Sequence, residues 1–254
     1  MMRECTLIWS FRNRLDIFKE SIQSAHDTSP LWLNFCMVDG GSSNETIEGL
    51  RTFVNGIKGR NIRICESLYR TTCQEAWNLG IGLSDTKYLL ITSSDCIFLR
   101  SGWLESFMDS FSQGNEYILM ETHSLFGISK TLVGKMGWFD EQFRHGQHVD
   151  VDYMIRASEI KIPIISLANK DFYKHEESEE ESRLRVKDKL KDRLNVSDPY
   201  NQIYFKKKWE CRWCMWTETR RPHPPTNIKK VKRRLPEIDS YPNKTLMIKN
   251  KYNV

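Results

Sequence analysis

Over its first 120 residues the chain alternates short apolar runs with amphipathic stretches, and this alternation restricts the fold more than any other feature. Residues 6–9, 33–38, 62–65, 88–92 and 117–120 are compact runs rich in Leu, Ile, Val and aromatic residues, with the length of buried strands. Between them, residues 14–25 place Leu15, Phe18, Ile22 and Ala25 on one helical face. Asn44 is placed to cap a helix carrying Ile47, Leu50 and Val54. Residues 74–83 read as a third helix, and Ser101 is placed to cap a fourth with Leu104, Phe107, Met108 and Phe111 inward. Strands alternating with helices of this length predict βαβ units: an α/β chain with a Rossmann-like three-layer core and a mostly parallel sheet. Ligands of such sheets bind beyond the carboxyl ends of the strands. Residues 10–13, 39–43, 66–70 and 93–96 are therefore the candidate ligand edge.

After Met120 the pattern changes. Residues 127–143 are mixed and contain glycine, 149–159 read as a helix, and 162–167 and 171–173 as short strands. From Glu176 the chain becomes highly charged, with a helix expected over 179–194, then an aromatic, lysine-rich stretch at 198–209 and an extended tail from Pro222. The expected organisation is a catalytic domain over 1–178 and a helical, then extended, C-terminal segment over 179–254. No run approaches the roughly 20 apolar residues that a membrane span needs, and the N-terminus has no signal-peptide pattern. Seven cysteines, an odd number mostly in apolar segments, indicate reduced thiols and a cytoplasmic setting. Net charge is +5, and Lys229, Lys230, Lys232, Arg233 and Arg234 cluster near the C-terminus. That cluster suits a solvated tail, peripheral attachment at a membrane, or nucleic acid. Cys211 and Cys214 have the spacing of half a zinc site, without a second pair.

Three blocks carry the chemistry. LNFCMVDGGSSNE at 33–45 puts a carboxylate, Asp39, at a strand end, followed by glycines that permit a sharp turn. EAWNLGIGLSDTKYLLITSSDCIFL at 75–99 puts Asp95 just beyond the fourth strand. GWFDEQFRHGQHVDVDYMIR at 137–156 opens a helix with Asp150 and Asp152. A helix N-terminus favours the carboxylate form. Positions two apart on a helix point about 200° apart, so only one of the pair can face a given site.

In this order and spacing the blocks resemble the signature motifs of the family-2 glycosyltransferases with the GT-A fold, over about residues 5–175. The resemblance implies a nucleoside-diphosphate sugar donor, most often UDP-linked, held by Ser10, Asn13, Asp39, Gly40, Asn78, Ser93, Ser94 and Asp95. Asp39 would contact the nucleotide base. In the family's Asp-X-Asp motif the last carboxylate holds Mn2+ or Mg2+ against the donor phosphates; here Ser93 replaces the first acid and Asp95 keeps the last. His175, just after a late strand, matches a position that serves the metal or the phosphates.

Aligning on Arg156 puts Asp150 on the catalytic base, with Val149 in place of the glutamate that usually precedes it. Asp152 takes a positioning or capping role, and His148, Arg156 and Trp138 are supporting candidates for the acceptor side, with His145 nearby. The stretch 204–209 resembles one that closes over the donor diphosphate. One base and no enzyme nucleophile imply inversion at the anomeric carbon.

The acceptor stays open: a glycan, a lipid-linked sugar, a protein or nucleic acid. Three competing readings explain less. A nucleotidyltransferase would carry a Gly-rich phosphate loop where residues 10–14 have no glycine. A dinucleotide oxidoreductase would carry G-x-G-x-x-G, which is absent. A nucleic-acid-binding protein would rest on the basic tail and leave Asp39, Asp95 and Asp150 unexplained.

Overall fold

The structure, a computed structural model, describes residues 4–67, 70–120, 122–143, 148–169, 171–175 and 197–209. Seven strands form the main sheet: β1 (Cys5–Phe11), β2 (Asn34–Asp39), β3 (Ile62–Cys65), β4 (Tyr88–Ser93), β6 (Tyr117–Leu119), β7 (Leu125–Ser129) and β8 (Ile164–Ser166). Their order is β3-β2-β1-β4-β7-β6-β8. Four of the six pairings are parallel and the two made by β7 are antiparallel. A separate antiparallel ribbon joins β5 (Cys96–Phe98) to β9 (Tyr173–His175).

The central strands are buried on both faces, as parallel strands must be. In β1, Leu7 and Trp9 face one apolar layer and Ile8 the other. The first layer holds α1 (Leu15–Thr28), α2 (Asn44–Asn55) and α4 (Trp103–Ser112), through Phe18, Ile22, Leu50, Leu104 and Phe107. The second holds α3 (Cys73–Leu83), α5 (Lys130–Met136), α6 (Val149–Glu159) and α7 (Ser197–Trp209). This is a three-layer α/β/α core, as the strand–helix alternation predicts. Gly80 lets α3 lie against β1, because a Cβ there would collide with the Ile8 side chain. Helix α7 falls in the stretch read as an appendage, yet Phe205 and Trp209 belong to the core.

Several element ends differ from the sequence reading. Ser43 rather than Asn44 caps α2, its hydroxyl accepting from the Thr46 amide. The residue before α4 is Gly102 at φ 102°, a backbone state that Ser101 would reach only with strain. The mixed stretch after Met120 contains β7 and α5. The helix expected over 179–194, the Cys211–Cys214 pair, His145 and the basic cluster lie outside the described residues.

Arg60 closes the end of α1. Its guanidinium donates to the carbonyls of His26, Ser29, Pro30 and Leu33 and lies 4.2 Å over the Phe35 ring. Burial holds its pKa down to about 10. The last carbonyls of a helix lack intrahelical donors, and Arg60 supplies donors to His26 and to Ser29 just beyond the helix end. Arg60→Ala is expected to cost about 3 kcal/mol in urea unfolding, the scale of a lost charge-assisted bond plus stranded acceptors.

Candidate active site

The strand order reverses at β1 and β4, so their carboxyl ends open the crevice where α/β sheets bind ligands. Ser10 on β1 pairs with Ser93 on β4 at this mouth. Asp95 follows in the turn after β4, with a side chain only 5% exposed. Its Oδ1 lies 2.9 Å from His175 Nε2, and its Oδ2 accepts from Arg14 Nη1 at 3.2 Å. The small ribbon makes the first pair: Cys96, next to Asp95, is in register with His175. Helix α1 fixes the ribbon in turn. Ser21 Oγ accepts from Trp9 Nε1 at 3.0 Å and donates to the Cys96 carbonyl at 2.6 Å. The Phe98 amide donates to Ser24 Oγ. Burial would raise the Asp95 carboxyl pKa. The hydrogen bond and charge of His175, with Ser93 and Arg14, outweigh that and hold it well below the usual carboxylate range.

Asp39 builds the next wall. It is 2% exposed, and its carboxylate accepts from the amides of Gly41 and Ser42, with a longer bond from Ser67. Gly41 has φ 86°, which lets the chain turn back over Asp39. Asn13, at φ 54°, donates its amide to Ser42 Oγ at 2.7 Å, and its Oδ1 accepts from the Ser43 amide. The Gly40 amide donates to the Phe11 carbonyl at 2.7 Å. Loops β1–α1 and β2–α2 are thus one stitched unit. Ser94 sits in the turn after β4, half-buried.

Asn78 is not brought to this mouth. It is 1% exposed; its Nδ2 donates to the Phe139 carbonyl and to Glu141, and its Oδ1 accepts from the Phe139 amide. The buried face of α3 thereby braces the segment before α6.

On α6 the two acids part. Asp150 keeps 23% of its side chain exposed and lies 3.7 Å from His123 Nδ1. Asp152 is fully buried, accepting from Arg156 Nε at 3.0 Å and Trp209 Nε1 at 2.8 Å, with Lys208 Nζ at 2.7 Å. Arg156 also donates to the carbonyls of Met136 and Trp138. Trp138 therefore supports α6 through its backbone, its side chain packing against the core. His148, at φ 68° ahead of α6, is 6% exposed with its ring 5.7 Å from Phe205. Its ring packs toward the core. Tyr204 Oη and Lys208 Nζ both reach Asp140, at 2.7 and 2.6 Å. The 204–209 stretch thus locks α7 onto α6, with Tyr204, Lys208 and Trp209 bonded to Asp140 and Asp152.

Burial would raise the Asp140 pKa, but Lys208, the Gln142 amide and Tyr204 lower it overall. A lowered folded-state pKa contributes stability above the unfolded value of 3.8, which is lost as pH falls through the folded value. Asp140→Asn is expected to unfold at lower urea than the parent at pH 7, with the gap narrowing below pH 3.8.

Two residues at the site escaped the sequence reading. Arg14 reaches Asp95 across 81 positions; its one signal was a cation at the end of β1 next to the switch point. His123 had no local signal, because β7 brings its turn beside α6 only in the fold.

An α/β crevice with acids at the ends of β2 and β4 and at the start of α6 is the arrangement that the resemblance to the GT-A fold implies. The model of the family described as glycosyl transferase family 2 matches residues 6–150, and the chain belongs to that family. Among solved structures, the mannosyltransferase PcManGT from Pyrobaculum calidifontis, in complex with GDP-Man and Mn2+, is similar at 12% identity and a TM-score of 0.60. That likeness covers 72% of this chain and 60% of that one. Residues 1–349 of S. aureus TarS in complex with UDP-GlcNAc are similar at 13% identity and a TM-score of 0.56, covering 70% of this chain and 61% of that one. The corresponding UDP complex gives 12% identity and 0.56, over 67% and 59%. At these identities the likeness is one of fold, and the chain spans about three fifths of the length of those structures. No curated protein matches the sequence.

A divalent cation is the cofactor that this family implies. Among the described residues no group of three or more His, Cys, Asp or Glu side chains gathers around one point. Asp95 and His175 nevertheless fit a cation completed by substrate phosphates and water, as Mg2+ is often held. Two donor atoms 2.9 Å apart can both lie at about 2.1 Å from one ion. Among the described residues no helix is long and apolar enough to cross a membrane.

Proposed function

We propose that the protein is an inverting glycosyltransferase that takes a sugar from a nucleoside-diphosphate donor, most simply a UDP-sugar, to an acceptor hydroxyl. The observation that carries this reading is the pairing of Asp95 with His175 at the mouth between β1 and β4, with Asp150 presented from the start of α6. Asp39 shapes the nucleotide side, and its Oδ1, which among the described residues accepts from the Ser42 amide, keeps capacity for the base. Ser10, Asn13, Gly40, Ser93 and Ser94 line the donor path.

Asp95 and His175 would hold Mn2+ or Mg2+, which supplies positive charge against the departing diphosphate when bound. Arg14 pairs with the same carboxylate, its Nη1 donating to Asp95 Oδ2 at 3.2 Å. Asp150 accepts the proton of the acceptor hydroxyl. The acceptor oxygen forms its bond to the anomeric carbon on the face opposite the leaving group. The carbon–oxygen bond to the diphosphate breaks, and its electron pair leaves with the phosphate. Asp152, Arg156 and Trp138 hold α6 in place for this step.

The test is incubation with UDP-glucose, UDP-GlcNAc or GDP-mannose and Mn2+, followed by proton NMR with water as the acceptor. The reading expects nucleoside diphosphate to be released with one donor and the β-anomer of the sugar to appear first. Initial α-anomer would contradict inversion, and no release from any donor would contradict the reading as a whole.

A further inference from the structure

His123 lies between the two halves of the site. The Ser124 carbonyl accepts from the Ser93 amide at 3.1 Å and from Thr92 Oγ1 at 3.0 Å, so the turn carrying His123 is fastened to the strand end that leads to Asp95. On its other side His123 Nδ1 lies 3.7 Å from Asp150 Oδ2. Its Nε2 is 2.6 Å from Tyr117 Oη, which is in the fully buried floor of the sheet. Edge-on contacts with Phe126 and Tyr117 hold the ring plane. A histidine wedged between a buried phenol and a half-buried carboxylate has its tautomer set by those partners.

We propose that His123 is a positioning residue for glycosyl transfer: Tyr117 donates to Nε2, which keeps the proton on Nδ1 and aims that N–H at the Asp150 carboxylate. The proposal rests on Asp150 being the base. The phenol suits this part, because burial, then Tyr153 and Asp150, push the Tyr117 pKa well up and keep it a donor. Burial also lowers the His123 pKa, against a smaller opposite pull from Asp150, which favours the neutral ring. At 3.7 Å the contact is too long for a hydrogen bond, so the N–H acts on the carboxylate as a dipole and leaves its lone pairs for the acceptor proton. Among the described residues, the other groups facing this pair are the Cys73 thiol on α3, pushed up to about 12 by burial, then Asp150, and Tyr153 on α6, whose ring packs edge-on to Tyr117. None of them offers Asp150 an equivalent donor.

The experiment compares His123→Phe, His123→Asn, Tyr117→Phe and Asp150→Asn by the rate of UDP or GDP release from UDP-glucose, UDP-GlcNAc or GDP-mannose with Mn2+, across pH. Phe keeps the ring packing and removes the N–H. Asn carries an N–H close to the Nδ1 position. His123→Phe is expected to lose about 10- to 100-fold in kcat with the donor KM unchanged, as a misplaced reacting group does. Its acid limb of kcat/KM should move to higher pH, since removing a donor that faces a carboxylate disfavours the charged form. His123→Asn should recover most of the rate. Should His123→Phe fail to fold, Tyr117→Phe, which leaves His123 in place and releases its tautomer, must give the same pH shift with a smaller rate loss. Parent-like rates and pH profiles in the His123 and Tyr117 variants, beside a dead Asp150→Asn, would overturn the role of His123 and leave the base standing. An active Asp150→Asn, or no release by the parent protein, would overturn both.

Discussion

Asp150→Asn is expected to lower kcat by about 10²- to 10⁴-fold, the usual worth of a general base, with nucleotide affinity and melting temperature unchanged. The substitution is isosteric and leaves the start of α6 intact. Among the described residues Asp150 makes no short hydrogen bond or ion pair: its side chain is 23% exposed and the His123 ring lies 3.7 Å away. Nothing in the packing depends on the charge, so the loss should fall on the chemical step alone. Rates under saturating donor, with calorimetric titration of UDP, separate the two. A variant that loses UDP affinity in parallel with rate would assign Asp150 to the donor side instead.

Asp152→Ala, two residues on, should do the opposite and destabilise the protein by about 3–5 kcal/mol, the cost of stranding a buried charge. The carboxylate it removes is fully buried and neutralises Arg156, itself fully buried, together with Lys208. It also accepts from the indole of Trp209. Arg156 would keep the carbonyls of Met136 and Trp138 as partners but lose its counter-charge. In a chain of this size the cost corresponds to a fall of about 6–20 °C in Tm. Helix α7 should loosen with it, because Trp209 and Lys208 tie it to α6 at this point. Chemical denaturation of parent and variant checks the size. A variant with parent-like stability would show that the cluster does not hold α6.

Most of the main sheet is readable in the sequence because its strands are uninterrupted apolar runs buried on both faces, as in β1, β2 and β4. Strand β7 hides because Gly127 breaks its run. The glycine is there because a Cβ would press to about 3 Å from Leu90, Phe111 and Phe107. The ribbon of β5 and β9 hides because each strand has three residues and its partner is far along the chain. The same physics divides the site. Asp39, Asp95 and Asp150 stand at element ends, where spacing and alternation find them. Arg14 and His123 act through partners 81 and 27 positions away, and no periodicity marks such pairs. Asn78 reads as a polar residue near the ligand edge, yet α3 turns it toward Phe139, whose backbone donor and acceptor it completes. A helix face is set by tertiary packing, and a lone polar residue does not declare which side it will serve.

The central claim is that Asp95, with His175, joins a divalent cation to the donor diphosphate, and thermal unfolding with UDP in the presence and absence of Mn2+ tests it most directly. A ligand at 100 times its Kd adds about 2.7 kcal/mol to folded-state stability. The account predicts a rise in Tm with UDP and Mn2+ together, little with either alone, and none in Asp95→Ala. An equal rise in Asp95→Ala, or no rise with UDP under any condition, would contradict it.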